Sequence, residues 1–430
     1  MTGGPTTAPG RSRRDPIAAL RHRNFRFFWT GQLVSLTGTW MAQVAQAWLV
    51  LQLTNEPLAL GVVVAVQYTP VLAFGLLGGV VADTLPKRRT LIAAQALMAL
   101  VAFTLAGLVI GRVVEVWHVI VLAALLGLAN AIEMPTRQSF VMEMVGREDI
   151  ANAVALSSAV FNGTRILGPA IAGLLIGGLG VEACFLLNGF SYLAVIGGLL
   201  AIRPAELHAA ARPALERSVG AVGRHLAEGI RYIVSTPAVA LPLAVLGIVS
   251  TVGMNFQVLM PVMARDELDV GARGLGFLLA ATGVGSLAAA LAIAFGLRPN
   301  RRLLLAGALG LGLCEFAFAI SRLFPLSLAL AFGMGFGVIA LAATTNTTIQ
   351  LTAPDALRGR VMSVYVTVFA GSTPIGGLFA GSIASTWGAP VAFLAGGAVS
   401  AAVALGAFLV AGRLDRTRGD RRERATPVAR

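Results

Sequence analysis

Asn162-Gly163-Thr164-Arg165-Ile166-Leu167-Gly168-Pro169-Ala170-Ile171-Ala172-Gly173, running on to Gly180, is an apolar stretch with one arginine and regularly placed glycines. It is long enough to cross a bilayer core, which takes about 20 residues of helix. The same pattern returns 208 residues later: Gly163 aligns with Gly371, Gly168 with Gly376 and Gly173 with Gly381. The register also pairs Gly127 with Gly335, Gly180 with Gly388 and Gly189 with Gly397. Val160-Phe161 meets Val368-Phe369, and Phe185-Leu186 meets Phe393-Leu394. These coincidences exceed what the glycine density produces by chance, so the chain carries an internal repeat. Parallel repeats that handle substrate at their interface are a transporter architecture. Channels more often gain symmetry by oligomerising.

The whole composition agrees with a membrane setting. Of 430 residues, 57% are hydrophobic and 12% charged, and the mean hydropathy is +0.80. Soluble domains carry roughly a quarter charged residues. Dividing the chain at charges and turn clusters predicts spans at 27–52, 58–82, 90–111, 117–136, 151–178 and 183–202. Six more follow at 238–260, 273–297, 303–320, 326–347, 361–385 and 390–411. These are too long and continuous for the alternating strands of a membrane β-barrel. The predicted fold is an all-α membrane protein, with twelve transmembrane helices in two pseudo-symmetric six-helix bundles, 27–202 and 238–411. Residues 1–26 read as a cytoplasmic tail rather than a cleaved signal, since no small-residue cleavage site follows the apolar stretch. Residues 203–237 read as a cytoplasmic linker and 412–430 as a cytoplasmic tail.

The formal charge of +13 would ordinarily raise the question of a nucleic-acid partner. Its distribution answers otherwise. With the N-terminus inside, 28 of the 33 basic residues fall on the cytoplasmic side. Arg112, Arg265, Arg273 and Arg322 fall outside, and Arg165 lies within a span. That asymmetry is the positive-inside rule; it predicts both termini in the cytoplasm and the lipid bilayer as partner, with no nucleic acid. Two cysteines exclude a disulfide scaffold and a four-cysteine metal site. Four scattered histidines leave no metal or catalytic constellation, so no cofactor, metal or enzymatic activity is expected. The chain carries nothing that sets an oligomeric state.

Within the linker, Leu215, Val219, Val222, Leu226, Ile230 and Ile233 form an apolar helical stripe flanked by Arg217, Arg224 and Arg231. It reads either as an interfacial helix on the inner leaflet or as a linker helix packed on the loop ends. In the first span, Gln32, Ser35, Thr39, Gln43 and Gln46 recur at steps of three and four. Such a stripe faces a partner helix or an aqueous cavity, because lipid offers it no hydrogen bonds. A charge near mid-span is costly unless paired or hydrated. Arg165 therefore predicts either an ion pair with Glu133 or an anion site of its own. Glu133 and Glu315 are the candidate proton carriers.

The loop Gly79-Val80-Val81-Ala82-Asp83-Thr84-Leu85-Pro86-Lys87-Arg88-Arg89 resembles the signature between spans 2 and 3 of the major facilitator superfamily. Gly79, Asp83, Arg88 and Arg89 match; Thr84 and Pro86 depart from it. The resemblance implies a cytoplasmic latch between the halves, with Asp83 accepting from amides near Gly359-Arg360-Val361 at the start of span 11. The basic pair Arg301-Arg302 of the second half lacks the aspartate, so one latch is expected. Met134-Pro135-Thr136-Arg137-Gln138, Asn152-Ala153 and Asn162 to Gly173 resemble the branch holding the enterobactin exporter and macrolide-efflux permeases. Asn24 to Gln32 and Trp48 to Thr54 fit the same branch. Gly168, Pro169 and Gly173 are similar to the span 5 motif of drug antiporters, with Ala172 in place of one glycine. A bend near Pro169 is expected.

By the same resemblance, spans 1, 4, 7 and 10 line a central cavity, to which span 7 offers Thr251, Asn255 and Gln257, and span 10 offers Thr344, Thr345, Asn346 and Thr348. Spans 3, 6, 9 and 12 are peripheral, which favours a structural role for Glu315. The reading is an inner-membrane secondary transporter that works by alternating access. Its expected activity is proton-coupled export of a small amphiphile, either drug-like or a siderophore. An uptake carrier of the same fold, or a non-transporting membrane sensor or scaffold, are the alternatives.

Overall fold

The computed structural model describes residues 16–208 and 219–425, with the side chains of 76–83, 219–226 and 411–425 excepted. The membrane helices are α1 (Arg23–Thr54), α2 (Pro57–Thr84), α3 (Lys87–Ile110), α4 (Val116–Leu179) and α5 (Val181–Leu200). A linker helix, α6 (Val219–Ser235), precedes α7 (Pro237–Gly253), α8 (Phe256–Val262), α9 (Gly271–Phe295) and α10 (Arg301–Ile320). The set closes with α11 (Phe324–Thr352), α12 (Asp355–Trp387) and α13 (Ala389–Ala425). Ten of the described helices are long and apolar enough to cross a membrane. The 64-residue α4 crosses twice, and α1, 32 residues long with its hydropathy lowered by its own polar stripe, makes twelve.

Spans 4 and 5 meet without the predicted loop at 137–150. The helix continues because Phe140, Val141, Met144 and Val145 bury one face against Phe25, Phe28, Leu91, Val195 and Leu199. Of the charges that marked a loop, Glu143 is bonded to Lys87, and Asp149 Oδ2 lies 2.8 Å from His22 Nε2. Gly146 alone breaks the helix, at φ 71° and ψ −174°, a conformation open essentially to glycine. It separates limb α4a (116–145) from limb α4b (147–179). His208 lies over this break, its amide donating to the Glu143 carbonyl at 2.8 Å. Around Pro169 the dihedrals stay helical, so the chain passes it without leaving the helix.

Span 7 is interrupted. α7 stops at Gly253, Met254 and Asn255 leave helical geometry, and α8 runs into a π-helical turn, Met263–Glu267. The Asn255 amide donates to the Thr251 carbonyl at 2.8 Å, taking up a backbone acceptor at the break. α12 begins at Asp355, six residues before its predicted start, so Gly359, Arg360 and Val361 are helix-interior residues and not the free first-turn amides.

The glycine repeat is a packing repeat. A Cβ on Gly127 would strike the Gln67 carbonyl of α2, and one on Gly335 the Thr282 carbonyl of α9. Gly168 abuts α1 at Trp40, and Gly376 abuts span 7 at Thr251. Gly189 lies on Phe103 of α3, and Gly397 on Gly312 of α10. Gly180 and Gly388 take positive φ values of 88° and 86° at equivalent turns. Each half thus closes its helices at equivalent glycines, mostly onto backbone, with Gly189 instead meeting the Phe103 ring.

The last repeat pair joins the halves. Gly173 of α4b faces Ala272, Arg273 and Gly276 of α9, while Gly381 of α12 faces Pro57, Leu58 and Gly61 of α2. Among the described residues, the hydrogen bonds that bridge the halves gather toward this same end. Arg265 donates to the Leu51 carbonyl at 3.0 Å and to Asn55 Oδ1 at 2.9 Å. Ser385 donates to Glu56 at 2.9 Å, and Gln257 Nε2 to Gln43 Oε1 at 3.2 Å. The halves are therefore fastened at the end remote from the linker.

Candidate substrate cavity

A cavity of about 680 Å³ lies between the halves, below that fastened end. Its first half supplies Trp40 and Gln43 from α1, Tyr68 from α2, and Phe161 and Arg165 from α4b. The second supplies Asn255 and Gln257 from span 7, Asn346 from α11, and Tyr365 and Phe369 from α12. Trp40 and Phe161 meet edge to face at 5.8 Å, and Tyr365 and Phe369 lie parallel at 6.2 Å. The Gln43–Gln257 bond crosses the cavity's closed side. Amides and aromatic faces around one cation are able to hold a molecule with an apolar body and polar groups.

The predicted polar stripe of α1 is divided by its surroundings. Gln43 lines the cavity. Gln46 turns to a small side pocket, where its Nε2 donates to Gln67 at 3.1 Å. Ser35 is buried and accepts at its carbonyl from Thr39 at 3.0 Å. Thr39 also lies 3.2 Å from the Tyr192 hydroxyl of α5, and Gln32 is buried in the same bundle. Close approaches of Gly31 to Val195 and of Gly38 to Asn188 and Ser191 draw α5 onto the neighbouring face. The stripe runs along the border between the α5 side and the cavity side of α1.

Of the remaining cavity candidates, Asn255, Gln257 and Asn346 line it. Thr251 bonds back to Gly247, and Thr345 and Thr348 bond to carbonyls one turn earlier in α11. Thr344 is fully buried. Among the described residues span 4 contributes nothing to the wall, whereas spans 2, 5, 8 and 11 do. Tyr68 and the four large aromatics were not among the predicted site residues. Phe161 and Phe369 were nonetheless visible, because they are a matched pair in the 208-residue repeat.

Glu133 and Arg165 do not pair. Glu133, 5% exposed, accepts from Arg137 Nε at 2.9 Å, one turn along its own helix, and from Gln95 Nε2 at 3.5 Å. Helix geometry places that i, i+4 partner beside it, while Arg165 projects from the other limb into the cavity. Tyr68 is the residue within electrostatic reach of its guanidinium. Glu315 of α10 is 1% exposed, and neither carboxyl oxygen has a hydrogen-bond partner. It sits behind the break of span 7, against Gly253, with Gly396, Gly397 and Ser400 of α13 around it. The Ser400 hydroxyl is likewise buried without a partner.

The span 5 motif divides its contacts. Gly168 admits α1, Pro169 lines the cavity, and Gly173 admits α9 of the opposite half. Of the loop signature, Arg88 donates to the Leu199 and Leu200 carbonyls at the end of α5, at 2.7 and 2.9 Å. That is a cation at a helix C-terminus. Arg89 occupies the first turn of α3. Gly79 and Asp83 fall in α2, but their side chains lie outside the described residues. Arg360 pairs with Glu228 of α6, and Tyr232 donates to the Thr352 carbonyl at 3.2 Å, so the linker helix packs on the ends of α11 and α12.

Among the described residues no group of three or more metal-ligating side chains occurs. The chain matches the transmembrane secretion effector family over residues 14–423. It is 32% identical over 378 residues to the multidrug efflux pump Tap of Mycolicibacterium fortuitum, covering 84% of this chain and 90% of that one. Over 172 residues it is 26% identical to the staphyloferrin A transporter of Staphylococcus aureus, covering 40% and 43% of the two chains. The crystal structure of the nucleoside transporter NupG superposes with a TM-score of 0.74 at 10% identity, over 90% of this chain and 98% of the other. The two chains share one fold. With its repeat, its twelve spans and a cavity between two halves, the chain belongs to the transmembrane secretion effector family of the major facilitator superfamily, as a multi-pass inner-membrane secondary transporter of small molecules.

Proposed function

We propose that the protein exports small amphiphilic molecules, drug-like compounds or a siderophore, in exchange for protons. The observation that carries this reading is the 680 Å³ cavity of amides and aromatic faces, held between two halves that are fastened at one end only among the described residues. The distribution of arginines supports a cytoplasmic linker and cytoplasmic termini. The fastened end is then the outer one, and the cavity belongs to the inward-facing stage of alternating access. Gln43, Asn255 and Asn346 are its polar substrate contacts. The likeness to an efflux pump over most of both chains supports the outward direction.

For the coupling proton, Glu315 is the better of the two candidate carriers. Glu133 is engaged with Arg137, whereas Glu315 is enclosed without any partner. An unpaired charge buried there would cost several kcal/mol, so the packing around Glu315 bears directly on its gain or loss of a proton. Its contact with Gly253 couples that proton to the break of span 7, where Asn255 reaches the cavity. At the cytoplasmic surface, Gly79 and Asp83 at the end of α2 and Arg88 and Arg89 at the start of α3 flank the turn that latches the halves in the outward-facing stage.

The test is flux into proteoliposomes of the purified full chain under an imposed pH gradient. Proton antiport predicts substrate accumulation in the compartment from which protons flow. Accumulation that ignores the gradient removes the antiport, and accumulation in the proton-receiving compartment establishes uptake by symport instead.

A further inference from the structure

Among the described residues lining the cavity, Arg165 is the one that is charged, and no aspartate or glutamate accompanies it. Acidic groups elsewhere in the membrane helices and at the fastened end have other partners. Glu133 is bonded to Arg137, Glu56 to Ser385, Asp266 to Arg265 and Glu267 to Arg322. Glu315 is enclosed between α7, α10 and α13, behind the cavity wall. Among the described residues no carboxylate lies within ion-pair distance of Arg165, and its surroundings are neutral: Tyr68, and the amides Gln43 and Gln257 bonded to each other. The guanidinium stays protonated in any protein environment. The chamber therefore carries a net single positive charge, with aromatic walls on both sides.

We infer that the preferred substrate is an amphiphilic monoanion, whose carboxylate is taken by Arg165 while its apolar body lies between the Trp40–Phe161 and Tyr365–Phe369 walls. A carboxylate matches the planar fork of a guanidinium through two parallel hydrogen bonds. One fixed cation balances one negative charge, and a dianion would enter with a charge left over. A cationic amphiphile meets like charge with no acid to offset it, which disfavours it in a low-dielectric chamber. Charge here selects among molecules of similar apolar body, since the aromatic surface binds each of them alike. The inference rests on the cavity being the transport site.

The experiment uses the full chain in lipid nanodiscs and three fluorescent probes that share one aromatic body: dansylglycine, its methyl ester and dansylcadaverine, giving an anion, a neutral molecule and a cation. Dansylglycine is expected to bind at least about tenfold more tightly than the other two, as one charge-assisted contact allows. Arg165→Gln is expected to abolish that preference while leaving the ester's affinity in place. If Arg165→Gln does not fold, Thr347→Asp on the α11 wall is expected to shift preference from the acid to the amine. Equal binding of acid and ester by the unmodified protein, or a preference that survives either variant, would overturn the inference. A separate variant, Ala343→Trp, projects a bulky ring into the chamber between the aromatic walls. Loss of all three probes there supports the location, and unchanged binding there would sink the cavity reading itself.

Discussion

Gly276→Ala tests whether the α4b–α9 contact holds the far end of the molecule shut. A Cβ at Gly276 would stand 2.5 Å from the Pro169 carbonyl oxygen and 2.8 Å from the Gly173 Cα. Ordinary contact begins at 3.4 Å, so the two helices must part by about 0.9 Å, the difference between 3.4 and 2.5 Å. Both obstructing atoms are backbone, so no side chain can rotate away. Overpacking of this kind costs about 1–3 kcal/mol. The cost falls on the conformer in which the contact exists and vanishes in one where α4b and α9 have separated. The gain in helix propensity from glycine to alanine applies to both and cancels. An energy of about 1–3 kcal/mol displaces a two-state ratio about 5- to 150-fold. An opened population of about 1% would therefore rise to between about 5% and 60%.

The assay is electron-spin distance measurement between labels at Leu179→Cys and Trp387→Cys, which are exposed at the far end on opposite halves. The background replaces Cys184 and Cys314, the two native cysteines. The longer-distance component is expected to grow in Gly276→Ala. Gly178→Ala, on the same limb as Gly173 and with nothing within 4 Å of its Cβ, is expected to leave the distribution alone. An unchanged distribution in Gly276→Ala, or equal opening in Gly178→Ala, refutes the assignment of closure to this contact.

Gly146→Ala should lower thermal stability by about 1–3 kcal/mol, since its φ of 71° and ψ of −174° exclude a side chain; Gly163→Ala, which meets open space, is the matched control in a melting experiment. Glu315→Gln should keep substrate exchange and lose its acceleration by a pH gradient, because the amide fills the same enclosed site without a titratable proton; an unaltered response in proteoliposomes would take Glu315 out of the coupling. Arg265→Ala removes two hydrogen bonds between the halves, to Leu51 and Asn55, and should raise opening of the far end about tenfold at a cost of about 1.4 kcal/mol. Labelling of Leu58→Cys, which lies against Gly381 of the opposite half, by an impermeant thiol reagent reads that change, and equal labelling rates with and without Arg265 would contradict it.

The repeat shows how far one-dimensional reading reaches. Every glycine pair in it except Gly163 with Gly371 and Gly189 with Gly397 turned out to make an equivalent close approach or turn in the two halves. Glycine is legible because its role is local: removing a side chain has the same effect wherever two helices cross. The stripe of α1 was legible as a stripe, but not as a destination. Which helix stands opposite Ser35 or Gln43 depends on the tilt of α1 against α5 and span 7, and spacing along one helix does not contain that. Glu133 went to Arg137, its neighbour one turn away, because a partner on the same helix is already in place when the bundle assembles.

Composition and periodicity by themselves determined the membrane setting, the twelve spans, the doubling of a six-helix unit and the sidedness of charge. Each of these follows from free energies of transfer that act residue by residue. The tertiary structure decided which end is fastened, that span 7 breaks at Gly253 to Asn255, and that Arg165 faces a chamber without a carboxylate while Glu315 is enclosed without a partner. Those are properties of distance between helices far apart in the chain. Backbone approaches of a few ångströms set them, and hydropathy does not record such approaches.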